Sequence, residues 1–365
     1  MTKANTRIPE LDGLRGIAIL LVISFHYINN QLVNNHGHIS NIITKLTSFG
    51  WVGVDLFFVL SGFLIGNILI VNKRSPKYFT TFYVRRIVRI IPNYFLLLCI
   101  FGLLWMLSMF SGNYFFADHG SIPFWTYFLM VHNFFMAHYN SLGNRALSIT
   151  WSIGIEEQFY LIFPFLVYFI RNKWVPFLLI FLIIGANLVR AMFNTWVPQY
   201  VLLPSRMDGL SLGFIVAYAY SHNYLSGYKS SLMIILWCSL LFLLSGCLFL
   251  YWKYDDLGIM KYTFFGLIFA ILLIFALVYT NSWYAFILRN RILMWIGTIS
   301  YSLYLFHYFI LGLAYQLIGK TGIGIYTNTD IFVTLLAFFA AIAFSWSVYK
   351  LLEQPMVKFG KRWKY

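Results

Sequence analysis

Ten apolar stretches of roughly 20 residues dominate this 365-residue sequence. A helix needs about 20 mostly apolar residues to cross the hydrocarbon core of a bilayer. The candidate spans are 11–29, 51–72, 88–110, 151–170, 175–193, 208–221, 231–250, 259–280, 297–318 and 329–351. Charged residues make up 10% of the chain, too few to cover a water-soluble surface. The sequence therefore predicts an all-α, polytopic integral membrane protein with about ten transmembrane helices, organised as one domain over 1–365 with no appended extracellular domain.

The basic residues predict the orientation of these spans. Ten spans place both termini on one side, and cytoplasmic termini put 19 of the 26 Lys and Arg residues inside, as the positive-inside rule requires. This arrangement explains most of the net charge of +15 without a nucleic acid partner. We expect a multi-pass protein of the plasma membrane, the inner membrane in a bacterium. The shorter apolar segment 124–136 is predicted to be re-entrant or interfacial.

Ionisable side chains inside spans are costly and often functional. Arg15 and His26 in the first span are eleven residues apart, which places them on one helix face about 16 Å apart along the axis. A single buried histidine is often only a core residue. One that shares a face with an arginine in an apolar span indicates a functional role.

Glu156 lies near the outer end of the fourth span, at a depth comparable to that of His26. The two side chains are therefore predicted to meet, with the carboxylate fixing the tautomer of an imidazole base. The alternative is that Glu156 and Glu157 form an acidic pair that the dipole at a helix N-terminus favours.

The ninth span carries Tyr301, Tyr304 and His307 within two turns, and His307 falls near the middle of the bilayer. Tyr304 and His307 share a helix face because they are three residues apart. Ser61 in the second span has no base beside it in the sequence. It is therefore interpreted as a packing residue rather than a nucleophile.

Two further groups of charged residues have two interpretations each. Arg85, Arg86 and Arg89 lie at the predicted cytoplasmic face, where they either anchor the orientation or bind phosphate groups with their guanidinium forks. Arg206 and Asp208 precede the sixth span, and taken alone they read as a structural ion pair.

Taken together, these segments resemble acyltransferase family 3, the integral-membrane enzymes that O-acylate cell-surface glycans. The resemblance covers nearly the whole chain. It rests on the Arg15 to His26 spacing, the Arg86/Arg89 pair and the segments FFVLSGF, WSIGIEEQFY, RMDGL, SYSLYLFH and LEQP. Ile153 stands where the family usually has leucine.

The resemblance implies transfer of an acyl group, most often acetyl, from cytoplasmic acyl-CoA to a hydroxyl at the outer side. His26 matches the essential histidine with Arg15 as its partner, Arg86 and Arg89 match the pair that handles the donor, and Glu156 matches an acidic motif position. The expected acceptor is a cell-surface polysaccharide, with lipid-linked lipopolysaccharide O-antigen as the favoured one.

These implications extend to the rest of the predicted site. We assign His26, Glu156 and Arg15 to catalysis, and expect membrane lipids around the protein and no metal. The residues assigned to acetyl-CoA are Arg85, Arg86, Arg89, Tyr301 and His307, and those assigned to the acceptor are Trp151, Arg206 and Asp208. His26 is expected to act as a general base, and an acyl-histidine relay fits the sequence equally well.

Two other functions fit a polytopic chain with charged groups in its spans. A transporter or flippase for a lipid-linked glycan would use the same His, Glu and Arg side chains as a proton relay. A glycan polymerase would carry its chemistry in large outer loops, for which only the segments at about 30–50 and 111–150 are long enough.

Overall fold

The computed structural model describes residues 8–32, 38–111, 121–225, 229–254, 258–320 and 322–365. Helices and short connections make up these ranges, which contain no β-strand. The prediction of an all-α fold is therefore confirmed.

The α-helices longer than three residues are labelled in chain order. Those in the first half are α1 (Pro9–Ser24), α2 (His38–Thr47), α3 (Gly53–Asn72), α4 (Tyr78–Ser111), α5 (Trp125–Phe128), α6 (His132–Tyr139), α7 (Arg145–Ser148), α8 (Trp151–Phe169) and α9 (Val175–Ala191). Those in the second half are α10 (Trp196–Val201), α11 (Met207–Ser221), α12 (Lys229–Tyr254), α13 (Lys261–Val278), α14 (Trp283–Leu288), α15 (Arg291–Thr298), α16 (Ser300–Leu317), α17 (Asn328–Val348) and α18 (Gln354–Gly360). Two π-helical turns, Phe25–Asn29 and Tyr349–Glu353, follow α1 and α17.

Six helical stretches of the described residues are long and apolar enough to cross a membrane. They are Pro9–Leu32, Ile39–Asn72, Tyr78–Ser108, Asn172–Ala191, Gly258–Val278 and Asn328–Gly360. Helices α15 and α16 pass the same test together but are bent by 75° where they join. The chain is thus a multi-pass membrane protein by length and composition. The other predicted spans coincide with helices α8, α11 and α12, and the count of ten and the cytoplasmic termini stay predictions.

The segment predicted to be re-entrant contains two short helices, α5 and α6, rather than one continuous helix. Met130 between them has a φ of 55°, a left-handed conformation that ends the first helix. At 1.5 Å per residue, neither helix reaches across a bilayer. Its re-entrant path stays a prediction.

The chain divides into two compact units. The first unit comprises Met1–Ala18, Val54–Pro76 and Ile155–Gly297, and the second comprises Ile19–Gly53, Lys77–Gly154 and Thr298–Tyr365.

Close helix packing in the first unit depends on glycines. A Cβ on Gly62 of α3 would overlap the carbonyl of Leu210, and one on Gly213 of α11 would overlap the carbonyl of Val59. Only hydrogen at these positions lets the two backbones approach so closely, which is how small residues drive helix association in membranes.

Two buried ion pairs also hold the first unit together. Arg206 pairs with Asp55 of α3, and Arg190 Nη2 lies 2.9 Å from Asp208 Oδ2. Thr263 donates a hydrogen bond of 2.7 Å to the same Asp208 oxygen. Their proximity in the sequence predicted a local pair of Arg206 with Asp208. The structure instead gives each residue an ion-pair partner on another helix.

An antiparallel hairpin of α16 and α17 forms the core of the second unit. At one end, Ser302 Oγ donates to Glu353 Oε2 across 2.6 Å. At the other end, Tyr315 Oη lies 2.8 Å from Thr334 Oγ1. Contacts at both ends of the two helices fix their opposite directions.

The chain then turns back along α4. Asn93 Nδ2 donates to Glu353 Oε2 across 3.2 Å, and eleven residues later the carbonyl of Lys364 accepts a 3.0 Å hydrogen bond from Thr81 Oγ1. The segment 353–364 therefore runs antiparallel to α4. Because it also continues the direction of α17, helices α4 and α16 are parallel.

The buried ion pairs make a stability prediction. Replacing Arg190 with Met keeps most of the side-chain volume but leaves the buried Asp208 without its ion-pair partner. Breaking one side of a buried pair costs about 3–5 kcal/mol. We expect Arg190→Met to lower the thermal unfolding temperature of the detergent-solubilised protein clearly. The matched control, Arg291→Met, changes an exposed arginine of the same unit and should have little effect. Equal unfolding temperatures for the two variants would contradict a stabilising role of the network.

Candidate functional site

Two histidines from separate helices of the second unit form a hydrogen-bonded pair. His26 lies in the π-helical turn Phe25–Asn29, and His307 lies in α16. The distance from His26 Nδ1 to His307 Nε2 is 2.9 Å. His307 is fully buried, whereas the His26 ring is only half-buried. The extra residue of a π turn displaces side chains from the regular helical positions, and such turns are common at functional sites.

The surrounding hydrogen bonds determine which nitrogen of each neutral ring carries the proton. His307 Nδ1 lies 2.7 Å from the carbonyl of Tyr304. Because a carbonyl only accepts, this nitrogen carries the proton, and Nε2 of His307 must accept. The proton between the rings is therefore on Nδ1 of His26. Its Nε2 has a lone pair and no hydrogen-bond partner in the described part of the chain.

Other side chains fix the positions of both rings. Tyr27 Oη donates to the His307 carbonyl across 2.6 Å, and Gln31 Nε2 donates to the His26 carbonyl across 2.7 Å. The ring of Tyr308 is stacked on that of His26, with centroids 4.8 Å apart and an interplanar angle of 17°. A positively charged imidazole in this position would gain a favourable contact with the face of the phenol ring.

Helix α2 is attached to the same π turn. Asn29 Nδ2 donates to the carbonyl of Thr44 across 2.7 Å. This bond connects the turn that carries His26 to a helix whose outer side is apolar, with Ile39 and Leu46 exposed.

The predicted partner of His26, Glu156, belongs to the first unit, where it accepts two hydrogen bonds. Ser61 Oγ donates to Glu156 Oε1 across 2.6 Å, and Tyr160 Oη donates to Oε2 across 2.9 Å. No base lies beside Ser61 in the sequence, and in the structure this carboxylate is its hydrogen-bond partner. The pairing of Glu156 with His26 stays a prediction, and within its own unit His26 has His307 as its partner.

Arg15 and Trp151, two other predicted site residues, have defined surroundings. Arg15 Nη1 lies 3.2 Å from Asp12 Oδ1, one turn earlier in α1. Trp151 is buried at the start of α8. Next to it, Ser152 Oγ lies 2.7 Å from Tyr304 Oη, which attaches this end of α8 to α16. Their assigned roles in catalysis and acceptor binding stay predictions.

The predicted cytoplasmic arginines lie at the start of α4, beside the segment 363–365. Arg85 Nε donates to the carbonyl of Trp363 across 2.9 Å, and its guanidinium lies 5.1 Å from the centroid of the Tyr365 ring. Burial raises the pKa of Tyr365, and the charges of Arg86 and Arg85 oppose that rise. Arg89 is half-buried one turn further along the helix.

Tyr301 connects this arginine-bearing helix to α16. Its hydroxyl donates to the carbonyl of Ile90 across 2.9 Å. Tyr301 and His307 were both predicted to bind the donor. The structure puts Tyr301 against the helix of the arginines, while His307 lies six residues further along α16 and contacts His26.

Comparison with known proteins gives a consistent result. A family model described as an acyltransferase domain matches residues 8–350. The peptidoglycan O-acetyltransferase OatA of Listeria monocytogenes is 28% identical over 97% of this chain and 56% of its own length. The O-acetyltransferase OatA of Staphylococcus aureus (strain NCTC 8325) is 29% identical over 97% of this chain and 58% of its own length. The chain thus spans a little over half the length of these relatives. No solved structure matches it significantly.

The hydrogen-bonded pair predicts a measurable tautomer. Nitrogen-15 NMR of histidine-labelled protein should show His26 protonated at Nδ1, the form that is less common for a free neutral imidazole. In His307→Ala the acceptor is lost, so His26 should shift toward the Nε2-protonated form. The His26→Gln variant identifies the resonances. If His26 has the same tautomer in the wild type and in His307→Ala, the pair does not control its protonation.

Proposed function

Because the chain belongs to the acyltransferase family whose model covers residues 8–350, we propose that it transfers an acetyl group from acetyl-CoA to a hydroxyl of a cell-surface glycan. The observation that supports a chemical role most directly is the free lone pair on Nε2 of His26. Relatives named as O-acetyltransferases support transfer to an oxygen atom. The same comparison favours an enzyme over the transporter and polymerase alternatives.

In the proposed reaction His26 is the general base. Nε2 takes the proton of the acceptor hydroxyl while the oxygen attacks the thioester carbonyl. The carbon–sulfur bond then breaks, and the leaving thiolate receives the proton from Nε2. His307 acts as a positioning residue because it holds Nδ1 of His26 as a donor throughout.

The transient positive charge on His26 has two sources of stabilisation in this arrangement. The lone pair on His307 Nε2 accepts from the charged ring more strongly than from the neutral one. The stacked ring of Tyr308 presents its electron-rich face. An acyl-histidine relay would use the same Nε2 lone pair as a nucleophile, so this geometry supports both routes.

The donor is proposed to bind at the start of α4. Arg86 and Arg89 lie on adjacent turns, where their guanidinium groups suit the phosphates of CoA. The acceptor is proposed to be a polysaccharide of the cell envelope at the outer side of the plasma membrane. Lipopolysaccharide O-antigen is the acceptor expected from the sequence, whereas the Listeria relative is a peptidoglycan O-acetyltransferase, which favours peptidoglycan.

The first test removes the proposed base. Cells that express His26→Ala should show at least a 100-fold lower content of glycan O-acetyl groups than wild-type cells, since a positioned base contributes about 10²–10⁴-fold. Mass spectrometry of lipopolysaccharide and of peptidoglycan identifies the polymer that has lost acetyl groups. His138→Ala is the matched control, because His138 is exposed in the same unit. Normal acetylation by His26→Ala at equal membrane abundance would refute the proposed base.

The second test measures the binding of the proposed donor, acetyl-CoA. Arg86→Ala and Arg89→Ala should each weaken acetyl-CoA binding to the purified protein by about tenfold, as expected for a charge-assisted hydrogen bond. Binding by the wild type should also weaken as salt concentration rises. Arg362→Ala is the control, because Arg362 is an exposed cation near the end of the chain. If all three variants bind as the wild type does, these arginines only orient the protein in the membrane.

A further inference from the structure

A buried polar cluster joins α4, α16 and the second π turn within the second unit. It consists of Asn93, Ser302 and Glu353, which are at most 5% exposed. Ser302 Oγ donates to Glu353 Oε2 across 2.6 Å. Asn93 Nδ2 donates to Ser302 Oγ across 3.0 Å and to Glu353 Oε2 across 3.2 Å. The catalytic scheme proposed above does not use any of these residues.

The carbonyl oxygen of Asn93 is left without a donor. Asn93 Oδ1 is buried and has no hydrogen-bond partner in the described ranges of the chain. Turning the amide over would not help. An ionised Glu353 only accepts, and Ser302 has already given its single proton to that carboxylate. Both partners therefore require the NH₂ group, and the oxygen has to face elsewhere. A buried acceptor of this kind needs an explanation.

The position of Asn93 in the second unit supplies an explanation for its unpaired oxygen. Because α4 and α16 are parallel, the arginines lie on one side of the cluster and the histidine pair on the other. Arg86 is seven residues before Asn93 in α4, and His307 is five residues after Ser302 in α16. At 1.5 Å per residue, the two separations add to about 18 Å along the helix axes.

This separation is close to the length of the arm that joins the two ends of the proposed donor. Coenzyme A carries its phosphates and its thioester at opposite ends of a pantetheine arm of about fourteen bonds. At about 3.5 Å for every three bonds of extended chain, the arm spans about 16 Å. It contains two secondary amides, each with one N–H donor. With phosphates at Arg86 and the thioester near His26, an amide of the arm passes the level of Asn93.

We propose that Asn93 Oδ1 accepts a hydrogen bond from an amide N–H of the pantetheine arm of acetyl-CoA, with Ser302 and Glu353 holding the Asn93 side chain in that orientation. This inference rests on the proposed function, because it assumes an acyl-CoA donor. It adds a binding site for the arm between the arginines that face the phosphates and the histidines that face the thioester.

Three probes separate this site from the arginines. Acetyl-CoA has both the phosphates and the arm, acetyl-pantetheine has only the arm, and adenosine 3′,5′-bisphosphate has only the nucleotide phosphates. Asn93→Ala should weaken binding of acetyl-CoA and of acetyl-pantetheine by about tenfold each, and should leave binding of the bisphosphate unchanged. Arg86→Ala should weaken acetyl-CoA and the bisphosphate but not acetyl-pantetheine. Asn328→Ala, at an exposed asparagine of the same unit, is the matched control.

A measurement on the wild type covers the case in which Asn93→Ala does not fold. Acetyl-CoA analogues in which one amide of the arm is replaced by an ester lack that N–H. One of the two analogues should bind the wild-type protein about tenfold more weakly than acetyl-CoA. In a folded Asn93→Ala variant, that analogue and acetyl-CoA should bind equally.

The outcomes distinguish the inference from the function on which it rests. If the wild type binds none of the acyl donors, the proposed acyl-CoA donor is wrong and this site is wrong with it. If the wild type binds acetyl-CoA but both esters bind equally well, only the Asn93 site is refuted. A loss of bisphosphate binding in Asn93→Ala equal to the loss of acetyl-CoA binding would make Asn93 a structural residue and refute the site as well.

Discussion

A polar group in the apolar interior of a membrane protein must find its partner within the protein, because lipid offers none. The carbonyl of Tyr304 meets this requirement by accepting from His307, and His307 meets it by accepting from His26. Each hydrogen bond determines which nitrogen of the next ring carries the proton. The chain of dependence ends at Nε2 of His26, the one ring nitrogen of the pair with no partner in the described structure. The backbone of α16 thus determines the chemistry of a residue almost three hundred positions earlier.

The same requirement explains which features of the structure could be predicted from the sequence. The lengths of the apolar stretches predicted the helices, and the sequence motifs predicted the family, because both are local properties of the sequence. His26 and His307 were each identified as polar residues deep in a span, but not as partners. Counting along a helix gives the depth of a side chain, and depth pointed to Glu156 rather than to His307 as the partner of His26. Which helices are neighbours, and which faces they turn to each other, depends on packing that no single segment encodes.

The charged residues of the first unit illustrate the same point. Arg206 and Asp208 are close in sequence and looked like one pair. In the structure Arg206 pairs with Asp55, and Asp208 pairs with Arg190. The pair of Arg206 with Asp55 is favoured here because α3 and α11 approach closely at their glycines, which brings these two charges within reach. A prediction of the partners would have needed the packing of Gly62 and Gly213 first.

Within the second unit the partner of His26 is a histidine and not a carboxylate, which has a physical consequence. A carboxylate would hold the base more strongly when it is charged, but the resting site would then carry a negative charge that is costly to bury. Two neutral imidazoles avoid that cost and still fix the tautomer. In the proposed reaction, the positive charge that forms on His26 would be stabilised within the second unit by His307 Nε2 and the face of Tyr308. Such a site suits the proposed reaction, in which the cation on His26 is short-lived because its proton passes on to the leaving thiolate in the same turnover.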